Sequence, residues 1–172
     1  QLLWLNLVTD SLPALALGME PVEKTVMRQP PRGKQDPLFS RAFSLRLAWQ
    51  GAMVGGLTLL AYGLGLRLTH DYAIANTMAF ATLCLSRLFH GVNCKSGHPV
   101  LFTRAFWNNK FLLGAFAVGA LLLAAVLLIP PLEPLFQVAE LSIGLVGCIV
   151  GLAFGSMVVI QVLKAIRSMG KK

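Results

Sequence analysis

Apolar positions along this chain are not scattered; they fall into long runs divided by short, basic, proline-containing stretches. A helix needs roughly 20 mostly apolar residues to cross the hydrocarbon of a bilayer. Five runs come near that length: about 1–19, 45–66, 73–93, 111–129 and 141–163. The expected fold is therefore all-α, a multispan membrane helical bundle with about five transmembrane helices. The loop 20–43 holds Pro21, Pro30, Pro31, Gly33 and Pro37, a density that forbids a continuous helix. A polar turn from Arg67 to Tyr72 separates the second and third runs, and a second loop covers 94–110. The fourth run, FLLGAFAVGALLLAAVLLI, is the cleanest, and PPLEPLFQVAEL links it to the fifth.

Composition agrees with this pattern. The chain is 56% hydrophobic and 13% charged, where soluble domains carry about 25% charged residues. The net charge of +8 would raise nucleic acid as a partner for a soluble protein, but no RNA- or DNA-binding motif is present. The basic residues have a simpler cause. Of the 15 Lys and Arg, all but Arg67 and Arg87 lie in 20–46, in 94–110 or in the C-terminal stretch from Lys164. These segments fall on one side of the membrane, which the positive-inside rule makes cytoplasmic, the C-terminus included. Asp71, Glu133 and Glu140 then face outward. Short loops without a large outer domain suit a bacterial plasma membrane. Cys84, Cys94 and Cys148 have neither a disulfide framework nor zinc spacing. The chain opens at Gln1 inside an apolar run, and the N-terminal part of a longer protein is expected to precede it.

Glycines recur within the runs, and Gly51-x-x-x-Gly55, Gly147-x-x-x-Gly151 and Gly151-x-x-x-Gly155 suggest close helix–helix approach. Polar groups in a membrane span are costly and mark functional sites by default. The first run holds Asn6, Thr9 and Asp10, whose i, i+3, i+4 spacing puts them on one helical face. They offer an amide oxygen, a hydroxyl and a carboxylate, the hard oxygen ligands that Ca²⁺ and Mg²⁺ prefer. Pro13 lacks an N–H, so the carbonyl four residues earlier, that of Thr9, loses its helical partner. Broken helices with freed carbonyls recur at the ion sites of transporters.

The string NLVTDSLPALALG, from Asn6 to Gly18, with Glu20-Pro21 after it, resembles the sixth transmembrane helix of type II P-type ATPases. It is most similar to the sarcoplasmic-reticulum-like calcium pumps and their bacterial relatives. The layout of five runs over 1–172 resembles the sixth to tenth helices of that fold, a C-terminal transmembrane domain of a larger pump. The resemblance implies an ATP-driven pump that exports Ca²⁺ from the cytoplasm against protons. It implies that Asn6 and Asp10 ligate one ion, and that Thr9 and Asp10 serve the second site of two-ion members. It also implies that 20–43 touches the phosphorylation domain. The family's phosphorylation motif, nucleotide-binding domain and first helices are absent from this chain. No catalytic residue is therefore assigned here, and ATP and Mg²⁺ would bind the missing cytoplasmic domains. The expected partners are the lipid bilayer and those missing helices and domains.

Arg87, in LSRLFH of the third run, falls where two-ion calcium pumps resemble one another in having a glutamate. A permanent cation cannot ligate Ca²⁺. Snorkelling to the headgroups is one reading of Arg87. The other is an internal counter-ion that fills the second-site position and pairs with Asp10, because intramembrane charges pair with one another. The second reading implies one Ca²⁺ per cycle. His90 is read as a polar residue facing neighbouring helices, Trp107 as an interfacial anchor, and Glu20 as a solvated loop charge. The competing functions are a passive cation channel, a secondary transporter, or a same-family pump for Mn²⁺, Na⁺ or H⁺, since oxygen ligands alone do not fix the ion.

Overall fold

The computed structural model describes residues 3, 7, 10–20, 40–96 and 104–169. Among these residues there are helices and connecting turns and no strand. The chain builds α1 (Ser11–Gly18), α2 (Arg41–Thr69), α3 (Tyr72–Cys94), α4 (Arg104–Trp107), α5 (Lys110–Leu128), α6 (Glu133–Phe136) and α7 (Ile143–Met169), with a 3-10 turn at Pro130–Leu132 before α6. Four of these, α2, α3, α5 and α7, are long and apolar enough to cross a membrane. At a rise of about 1.5 Å per residue even the shortest nears the roughly 30 Å of a hydrocarbon core. Of the expected first span, about 1–19, residues 3, 7 and 10–19 are described, and α1 is its final stretch.

Helix boundaries follow capping rather than hydropathy. α2 starts at Arg41, ahead of the apolar run, because the Ser40 hydroxyl accepts the Phe43 N–H at 3.2 Å and satisfies a donor left free at the first turn. It stops at His70, whose φ of 54° is left-handed, the conformation that often closes helices. One residue later Asp71 opens α3, its Oδ1 accepting from Ala73 N at 2.7 Å and Ile74 N at 3.4 Å. The sequence Thr69-His70-Asp71 thus makes a tight helical hairpin.

α3 is the centre of the bundle. It packs against α1, α2, α5 and α7, and 50% of its most apolar stretch is buried, against 11% for α2. Met78, Ala81, Cys84 and Leu88 of α3 meet Leu123 and Val126 of α5 and Leu145, Ile149 and Ala153 of α7. Phe89 of α3 stacks between Phe116 of α5, at 5.1 Å, and Phe154 of α7, at 5.8 Å. The turn after α6 is fastened to α3 by Ala139 N, which donates to Thr77 Oγ1 at 2.8 Å.

The close approaches are not where the glycine motifs suggested. Around Gly51, Gly55, Gly147, Gly151 and Gly155 a methyl group would meet nothing within 4 Å. These glycines face away from the helix contacts of this chain. Backbones come together at Gly65 instead, where a methyl would lie 2.9 Å from Ala75 Cα. They also come close at Gly119, facing Leu88, and at Gly91, facing Pro13. Motif spacing marks a smooth helix face, but only the partner's position decides whether that face is used.

Candidate functional site: an ion pair at a helix break

Leu7 and Asp10 each have widened, π-type helical backbone ahead of α1. Such widening gathers at functional sites, and at Asp10 it precedes Pro13, which removes a donor from the helical ladder. Pro13 is buried, and its ring sets the packing of α1 on α3: a methyl added to Gly91 would come within 3.2 Å of Pro13 Cβ. A side chain at position 91 would therefore press on the ring.

This contact fixes a register. Asp10 stands beside Arg87, Pro13 beside Gly91 and Glu20 beside Lys95. Both partners advance together, so α1 and α3 run parallel. At the first of these points Arg87 Nη1 donates to Asp10 Oδ2 at 2.7 Å. The short distance is that of a charge-assisted bond. Within this chain the Arg87 and Asp10 side chains are 38% and 48% exposed, so the pair lies on an open face of the bundle rather than in its core. In water such a pair contributes at most about 1 kcal/mol. At the centre of a membrane span an isolated Asp or Arg costs about 2.5–3.5 kcal/mol or more, and pairing relieves that penalty. In the structure the Arg87 guanidinium turns to Asp10.

Asn6 and Thr9 lie outside the described residues. Of the expected ligands the structure therefore places Asp10 alone, together with Pro13 and Arg87. Among the described residues no group of three or more His, Cys, Asp or Glu is arranged to hold a metal. Ca²⁺ takes about 6–8 oxygens, so Asp10 needs ligands from elsewhere in the protein to form a site.

A second polar cluster fastens the other end of α1, and sequence reasoning missed it. Asn109 is buried, and its side chain does three things. Its Oδ1 caps α5 by accepting Leu112 N at 2.9 Å. Its Nδ2 donates to Ala16 O, at the end of α1, at 2.9 Å, and to Glu20 Oε2 at 2.7 Å. Glu20 Oε1 in turn lies 3.5 Å from Lys95 Nζ, which also donates to Phe106 O at 3.4 Å. Glu20 is thus not the solvated loop charge expected; buried hydrogen-bond partners hold it between helices. An Asn directly before an apolar run is a recognised helix-cap signal, which the sequence reading did not use. Its reach back to α1 depends on a helix 93 residues away in sequence.

A third cluster joins α3 to α7. Gln161 Nε2 donates to Asn93 Oδ1 at 2.7 Å, and Lys164 Nζ donates to the carbonyls of Asn93 and, at 2.6 Å, Ser96. These carbonyls end α3, where cations are favoured by the helix dipole.

Over residues 1–166 the chain matches the family described as Cation transporting ATPase, C-terminus. It belongs to that family. It is 39% identical over 145 residues to a calcium-transporting ATPase of Bacillus subtilis, a match spanning 84% of this chain and 16% of the relative. It is 33% identical over 179 residues to calcium-transporting ATPase 1 of Bacillus cereus, covering 95% of this chain and 20% of that protein. Against calcium-transporting ATPase type 2C member 2 of Mus musculus the identity is 32% over 165 residues, 95% of this chain and 18% of the relative. The chain thus spans about a fifth of the length of the relatives it matches. Membership accounts for the apolar helices, and it makes the Asp10–Arg87 contact a feature of a cation-transporting ATPase membrane region.

Proposed function

We propose that this chain is the C-terminal part of the ion-translocating membrane region of an ATP-driven calcium pump, which exports one Ca²⁺ from the cytoplasm per cycle in exchange for protons. The observation that carries this reading is the Asp10–Arg87 pair beside a proline break. In it Asp10, with Asn6 and Thr9, supplies oxygen ligands to the travelling ion, and the remaining ligands come from helices outside this chain. Arg87 occupies the place of a second ion. Its charge is permanent, because a guanidinium does not deprotonate in proteins. It therefore balances Asp10 when the ion has left, at a depth where a bare carboxylate is costly. ATP and Mg²⁺ are handled by cytoplasmic domains outside this chain. The basic loops and the C-terminus lie in the cytoplasm, and in a bacterium the membrane is the plasma membrane.

Calcium is favoured by the names that the relatives carry and by hard oxygen ligands at the break. The decisive experiment is the Ca²⁺:ATP ratio of the full-length protein reconstituted in vesicles, with ATPase activity compared across Ca²⁺, Mn²⁺ and Mg²⁺. A ratio of one with Ca²⁺ preferred is expected. A ratio of two would overturn the counter-ion role of Arg87, and Mn²⁺-only activation would overturn the choice of ion.

A further inference from the structure

Thr82, Ser86, His90 and Asn93 follow one another along α3 at intervals of four, four and three residues, which stacks them on one side of the helix. Thr82 and Ser86 are fully buried, and Asn93 is 3% exposed. Among the described residues, Thr82 Oγ1, Ser86 Oγ, His90 Nδ1 and Asn93 Nδ2 are buried without a hydrogen-bond partner. Other hydroxyls in these helices close on their own backbone: Thr58 on Val54 O, Thr69 on Gly65 O and Thr77 on Ala73 O, at 2.8–2.9 Å. Thr82 and Ser86 do not.

Buried polar atoms in native proteins find partners, and where protein supplies none, bound water does. The spacing suits water. Groups one helical turn apart stand about 6 Å apart along the axis at 1.5 Å per residue, which one water spans with two hydrogen bonds of about 2.8 Å. The row opens at its Asn93 end on Gln161 and Lys164 of α7. At its other end Thr82 lies near the middle of α3, and Ser86 adjoins Arg87 in the chain.

We propose that this face of α3 binds a file of water molecules that carries protons between the Lys164 end of the bundle and the middle of the membrane. Each hydroxyl accepts a proton from the water on one side while giving its own to the water on the other. His90 takes a proton at Nδ1 and releases one from Nε2. A proton enters at one end as another leaves at the far end, so no group gains net charge. The transport role rests on the proton exchange proposed above; the water file itself does not.

The test uses the full-length pump in vesicles, with Ca²⁺ uptake and internal pH followed together. Ser86→Val and His90→Leu should lose the proton movement that accompanies Ca²⁺ uptake while keeping Ca²⁺-dependent phosphorylation. Thr82→Ser, which retains the hydroxyl, should behave as the parent. An unchanged proton-to-calcium ratio in both apolar variants overturns the conduction role. Radiolytic hydroxyl-radical footprinting of the parent supplies a readout independent of pumping. Rapid labelling along Thr82–Asn93 supports bound water, and protection equal to the surrounding core overturns it. Should the parent move no Ca²⁺, the pump reading fails, and the footprint still decides the water file.

Discussion

Asp10 and Arg87 lie 77 positions apart in the chain and 2.7 Å apart in space. Each is half-exposed within this chain, and the proposed role brings Asp10 into contact with the travelling ion. If the carboxylate grips that ion, Asp10→Asn should abolish Ca²⁺-dependent phosphorylation of the full-length pump, and normal calcium dependence in that variant would remove Asp10 from the site. Arg87→Gln leaves the carboxylate without its partner and should lower turnover. In thermal unfolding in detergent, where both single variants remain measurable, the double variant should lose less stability than the two singles summed; energies of residues in contact do not add. Strict additivity in this cycle would mean that the pair has no joint role.

At the scale of helices, the seams between α1, α3 and α5 carry the consequences. Asn109→Ala removes a cap, which costs about 1 kcal/mol, and strips Ala16 O and Glu20 of a buried donor, which costs about 1–3 kcal/mol more. Its thermal unfolding should therefore begin several degrees below that of the parent in detergent. Because Asn109 holds the end of α1, its loss should also weaken Ca²⁺ affinity without direct contact with the ion. Glycine substitutions separate used from unused faces. Gly65→Ala drives a methyl to 2.9 Å from Ala75 Cα, backbone that cannot yield, and overpacking of this kind costs about 1–3 kcal/mol. Gly55→Ala meets nothing within 4 Å and gains up to about 1 kcal/mol of helix propensity. The two unfolding temperatures should move in opposite directions; a shared direction would contradict the helix seam.

For the whole molecule, orientation is the property to test. Cysteine introduced at Asp71, between α2 and α3, should react with an impermeant thiol reagent from outside intact cells. Cysteine introduced at Arg167 should react only after the membrane is opened. The reverse pattern would invert the bundle and with it the direction of transport. The background thiols are Cys84, Cys94 and Cys148, free in the structure, and serine replacements provide the control.

Hydropathy and chain length decide that this sequence forms apolar helices, because in lipid every backbone polar group must be satisfied within the chain and a helix does this locally. Local chemistry likewise placed the break at Pro13, whereas the caps at Ser40, Asp71 and Asn109 were found only in the structure. Motif spacing also singled out Asp10 and Arg87. What no local pattern contained was which faces meet. The packing of Pro13 on Gly91, the capture of Glu20 by Lys95 and Asn109, the open surroundings of the Gly-x-x-x-Gly motifs and the buried polar row on α3 all depend on residues far away in sequence. Whether a polar group in a helix is bonded, solvated or stranded is set by the neighbouring helix, and the position of that helix is a property of the assembled bundle.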